Sequence, residues 1–128
     1  MHIIFDENVI DQLKQNNNHT ILPLDTIRPS PDSEKTLTAY CVVSTIPLTE
    51  IGQTEAYVQW HNELLLAYKH KNWQECVTTL NLLAGKFNGE LDTFYNELRE
   101  RIRIFIKNPP PETWDGVYEP WNNPTHIT

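Results

Sequence analysis

Cysteine, glycine and positive charge are all scarce in this 128-residue chain, and each shortage closes off a class of function. The two cysteines, Cys41 and Cys76, each sit in an apolar periodic segment and read as buried thiols, with a disulfide between them the unsupported alternative. Four glycines leave no glycine-rich phosphate loop. Ten lysines and arginines stand against seventeen acidic residues, a net charge of −7 that is the wrong sign for a nucleic-acid footprint. No apolar run is long enough to span a membrane. The start, "MHIIFDENV", has no basic region, apolar stretch and cleavage site in series, so no signal peptide is expected and a reducing, cytoplasmic setting is the default.

Reactive constellations are equally thin. His61 and His70 share a helix but lie nine residues apart, on roughly opposite sides, and cannot hold one metal ion. His2, His19 and His126 fall in termini or loops. Glu55, Glu63, Glu75, Asp92 and Glu97 read as solvated helix faces, with no pair marked as acid and base. The expectation is therefore no catalytic residue, no metal and no cofactor.

What is present is enough apolar material, 39% of residues, for one modest core, so residues 1–128 read as a single domain. "HIIF" reads as a short strand, and Asp6 caps a helix carrying Val9, Ile10 and Leu13 on one face. "TILPLDTIR" and "TLTAYCVVSTI" read as an antiparallel hairpin, with Pro23 marking an edge or a bulge. After Gln53 the period changes from two to 3.6. A first helix, about 53–70, carries Tyr57, Trp60, Leu64, Leu65 and Tyr68 on a stripe. A second, about 72–87, carries Trp73, Cys76, Val77, Leu80, Leu83, Ala84 and Phe87. A third, about 90–107, carries Leu91, Phe94, Tyr95, Leu98, Ile102, Phe105 and Ile106. Three prolines stop it, because proline lacks the amide donor and crowds the preceding turn.

The fold class is thus α+β: a strand, helix and β-hairpin over 1–48, a three-helix tetratricopeptide-like unit over 52–107, and an aromatic tail over 108–128. The helical hairpin with "YKHKNWQECVTTL", the following helix and "NPPPETWDGV" resemble the region after the catalytic domain in bacterial class III adenylate/guanylate cyclases. The matching residues are Tyr68, Trp73, Cys76, Leu80, Arg101, Pro109, Pro110, Trp114, Asp115, Gly116 and Val117. The strand, helix and hairpin upstream are similar to the end of the cyclase domain itself. The chain departs from the pattern in its "PSPDSEK" turn, in Cys41 after Tyr40, and in cysteine at the hairpin's small position. The family's metal-binding and transition-state residues lie upstream of the matching region, so the resemblance implies a shared scaffold without the reaction.

The expected function is accordingly a non-enzymatic interaction or regulatory module, with a protein partner or self-association and neither nucleic acid nor membrane. The alternative is a structural subunit of a larger assembly, such as a virion component. Candidate interaction residues are Tyr57, Trp60, Tyr68, Trp73, Arg101, Trp114, Asp115, Gly116, Tyr118 and Trp121. The tail aromatics can anchor a partner, since such rings dominate interface hot spots, or fold back onto the helices; the cost of exposed tryptophan favours the second. A homodimer through Tyr57 and Trp60 is one way to cover an unmatched helical face.

Overall fold

The computed structural model describes residues 2–15, 20–43 and 52–119, apart from the His2 side chain. Trp121, His19, His126 and the far end of the hairpin's second strand lie outside these residues.

The chain is α+β, with a three-stranded antiparallel sheet and four α-helices among the described residues. The elements run β1 (His2–Ile4), α1 (Glu7–Gln15), β2 (Thr20–Ile27), β3 (Leu37–Val43), α2 (Thr54–Lys69), α3 (Trp73–Leu83) and α4 (Asp92–Lys107). The strand order is β1-β3-β2, so the most apolar strand is central and both of its neighbours are edges. β2 and β3 form the expected hairpin, and β1 pairs antiparallel on the other side of β3 with Ile3 opposite Cys41.

Strand alternation divides β3 between two layers. Ala39, Cys41 and Val43 join the core built on α2, α3 and α4, while Tyr40 and Val42 point the other way. There the Tyr40 hydroxyl donates to the Glu7 carboxylate and the Lys14 ammonium sits over the Tyr40 ring, which fixes α1 on that face with Ile10 buried. Pro23 marks both an edge strand and an irregularity: the β2–β3 register shifts between Pro23 and Asp25. The shift has a consequence for placement. Leu22 and Asp25 are three residues apart and would lie on opposite faces of a regular strand; the extra residue returns Asp25 to the helical side.

The helices follow their apolar stripes. Asn72 caps α3, its side chain accepting from the Glu75 amide and donating to the Glu75 carboxylate. The end of α3 departs from expectation: placed near residue 87 by the spacing, it falls at Leu83. Gly85 and Gly89 adopt φ of +79° and +74°, and Asn88 adopts +59°, all in the left-handed region that ends a helix. The Gly85 amide donates to the Asp92 carboxylate at 3.0 Å, so the loop is tied to the next helix. Phe87 still reaches the core, edge-on to Tyr57 at 5.8 Å, from a short 3₁₀ turn rather than from the helix. Among the described residues, no helix is long and apolar enough to cross a membrane.

Candidate functional site

The tail after α4 returns to the sheet, and the residues singled out in the sequence meet where it lands. Trp114 packs against Tyr68, Phe105 and Trp73, with ring centroids at 5.2, 5.3 and 5.9 Å. Trp73 in turn stacks on Phe105 at 5.3 Å. Gly116 follows at φ +84°, against the stem of Lys69: an added Cβ would lie 3.2 Å from the Lys69 Cγ. Asp115 accepts from the Val117 amide and lies 4.0 Å from the Arg28 guanidinium, which also pairs with Glu119.

Tyr118 then pairs parallel with Ile27 as a single bridge: its amide donates to the Thr26 carbonyl at 2.7 Å, and its carbonyl accepts from the Arg28 amide at 2.9 Å. This covers the outer edge of β2 at its far end. Nearer the start of the strand, the Pro23 carbonyl accepts from His61 on α2. The β2 edge is therefore covered at two points, by one side chain and one tail residue, a usual protection for strand edges.

Arg101 is the hub beneath the tail. It falls on the apolar stripe of α4, in step with Phe94, Leu98 and Phe105, and is 3% exposed. Its guanidinium donates twice to Asp25, at 3.1 and 2.9 Å, and once to Glu97 at 3.1 Å. The Tyr118 ring lies over its face, 3.6 Å from the central carbon. Burial alone would make Arg101 easier to deprotonate, but the hydrogen bonds and charge of Asp25 win and hold it more firmly protonated than a free arginine. One cation thus joins β2, α4 and the tail.

His61 is the second buried polar group, and it follows from the same periodicity: Tyr57, His61, Leu64 and Tyr68 lie on one face of α2. A carbonyl oxygen only accepts, so Nε2–H donates to Pro23, and Nδ1 accepts from the Tyr95 hydroxyl at 2.9 Å. The neutral imidazole satisfies both contacts. Burial lowers the His61 pKa, with the Pro23 carbonyl partly opposing the shift. Below its ordinary value of 6.5 the unfolded chain takes up a proton that the native imidazole refuses, so stability is lost as pH falls from 6.5 towards the lowered native value. We expect urea midpoints to fall between pH 7.5 and 5.5, with a limiting slope of about 1.4 kcal/mol per pH unit from this group. The His61→Gln variant should show a flatter profile, and an unchanged profile would remove His61 as its source.

Neither cysteine is poised for chemistry. Burial raises the Cys41 thiol to about 11 and the Cys76 thiol to about 12, so both are protonated, weak nucleophiles at neutral pH. Tyr68 is likewise pushed up to about 12 by burial, although Arg101 opposes the shift. Among the described residues no group of three histidines, cysteines or carboxylates is placed to hold a metal ion.

Two concavities flank the Arg101 hub. One, of about 410 Å³, lies between β2, the end of α2 and the tail, and has a mixed lining that includes Thr26, Thr38, Tyr68, Lys69 and Asp115. The other, of about 230 Å³, lies between the sheet and α4 and is mainly apolar, with Ile3, Phe5, Leu24, Phe94 and Tyr118 along it and Glu97 and Arg101 at one side. Ile3 and Phe5 are 50% and 44% exposed there.

Of the candidate interaction residues, Tyr68, Trp73, Arg101, Trp114, Asp115, Gly116 and Tyr118 thus come together, and they do so inside the chain. Tyr57 is buried too, its hydroxyl donating to Gln53, and Trp60 packs half-buried against it at 5.6 Å. A buried Tyr57 has no free surface to offer a second copy, so the dimer through Tyr57 and Trp60 loses its basis. Asp25, Glu97 and His61 are the partners that reasoning from sequence missed. Comparison with known protein families, with curated proteins and with solved structures finds no match to this chain.

Proposed function

We propose that this chain is a non-catalytic protein–protein interaction module acting in a reducing compartment such as the cytoplasm. The observation that carries this reading is the apolar groove between the sheet and α4, left open with Ile3 and Phe5 facing solvent. A chain that turns its tail tryptophan inward yet leaves these two large side chains out has a surface suited to docking. Two free, buried thiols suit the reducing setting. The likeness to the cyclase C-terminal region is part of the same proposal. Its Tyr68, Trp73 and Trp114 form one ring cluster, which supports a motif whose work is to hold the tail in place.

The test is purification of the intact chain from its native host, sized by light scattering. A partner that co-elutes in fixed ratio, and whose recombinant form rebinds the recombinant chain, is the expected result. A lone monomer that turns over a small metabolite would overturn the reading.

A further inference from the structure

The two edges of the sheet are treated differently. The β2 edge is covered at Pro23 by His61 and at its far end by Tyr118. β1 is the other edge, and among the described residues no strand pairs with its outer side. The apolar groove lies on the helical side of the sheet, lined at that edge by Ile3 and Phe5, further in by Ala39 and Leu24, and from α4 by Phe94 and Glu97. Backbone groups alternate sides along a strand, so one or two residues of β1 present donors and acceptors outward; an added strand extends the ladder there while its alternate side chains fill the trough.

We infer that β1 and the groove beside it receive an extended segment of a partner protein, apolar at alternate positions and basic between them. The charge of the site selects this occupant. Arg101 is the groove's one cation among the described residues, and its charge is paired with Asp25 and Glu97, its buried Nε–H alone making no hydrogen bond. The three groups together leave one negative charge, with Glu97 43% exposed at the wall. Against this, lysine or arginine in the incoming strand gains attraction, whereas a second copy brings the same acids and a net charge of −7. β1 itself is only three residues long, so the ladder alone is short and the groove must supply the remaining contact.

This inference names the site and partner class of the interaction module proposed above and rests on that reading. Its test is fluorescence anisotropy of the full chain with a labelled synthetic peptide alternating valine and lysine. Its controls are a valine–glutamate counterpart and a copy N-methylated at every second residue. The lysine peptide should bind at least tenfold more tightly than either control, and the Ile3→Ser/Phe5→Ser double variant should lose at least tenfold in affinity for it. Both substituted positions are solvent-facing, and circular dichroism checks that the variant stays folded. Equal binding of the glutamate peptide, indifference to N-methylation, or no binding would each overturn the strand-addition site. Dimerisation of the wild-type chain that the double variant abolishes would assign the edge to a second copy and overturn it as well. If the partner from the host purification binds the double variant undiminished, this site falls and the module stands; absence of any partner there removes the module reading itself.

Discussion

Replacing Arg101 by methionine should lower the unfolding free energy by about 3–5 kcal/mol, the cost of stranding a buried charge by removing its partner. Asp25 is 11% exposed and would keep its carboxylate in the core without the two hydrogen bonds it accepts at 3.1 and 2.9 Å. The variant also removes the cation beneath the Tyr118 ring, loosening the tail's hold on β2. Arg101→Lys should fall in between, because a point charge cannot reproduce the planar fork. The informative comparison is Arg101→Met combined with Asp25→Leu: when both charges leave together the desolvation cost goes with them, and most of the loss should be recovered. Urea unfolding followed by circular dichroism reads all four chains. An Arg101→Met variant within about 1 kcal/mol of the parent, the range of exposed ion pairs, would show that the hub contributes no more than a surface pair.

The parts of this architecture that repeat with a fixed period were readable in the sequence. The β2–β3 hairpin, the α2–α3 pair and α4 all declare their inward faces through spacing alone. So, in hindsight, do two polar residues. Arg101 falls in step with Phe94, Leu98 and Phe105, and His61 with Tyr57, Leu64 and Tyr68; a polar group on an apolar stripe is a buried group in need of partners. Its partners are harder to find. Asp25 is the only charge in β2, but strict alternation aims it away from the helices, and only the register shift after Pro23 turns it inward. The end of α3 was hidden for a different reason. Leu83, Ala84 and Phe87 keep helical spacing across Gly85, so the core contact of Phe87 imitates a helix that the backbone has already left. The groove beside β1 could not be read at all, since its walls come from β1, β2, β3, α4 and the tail. Its existence depends on β1 pairing with β3, and a three-residue strand carries no signal for its neighbour.

Trp114→Ala should lower stability by about 3 kcal/mol, at the lower end of the range for large aromatic deletions because the ring is half-buried. For a chain of this size that is roughly 10–15 °C in melting temperature. The cost comes from contacts with Tyr68, Trp73 and Phe105, rings of α2, α3 and α4 that already pack on one another and that Trp114 covers from the tail. Trp114→Phe keeps part of the ring contact and should lose less than half as much. A second readout separates local from global loss. If Trp114 pins the tail, the alanine variant should become sensitive to limited proteolysis between Pro111 and Glu119 at temperatures where the sheet and helices remain intact, because the Tyr118 bridge to Ile27 is too short to hold the segment alone. The opposite pattern, unchanged melting and protease resistance with loss of partner binding, would make the ring an exposed anchor. The groove would then cease to be the main docking surface. The proposed module therefore depends on Trp114 being spent within the fold, because a tail already committed to α2, α3 and α4 leaves the open face beside β1 for a partner.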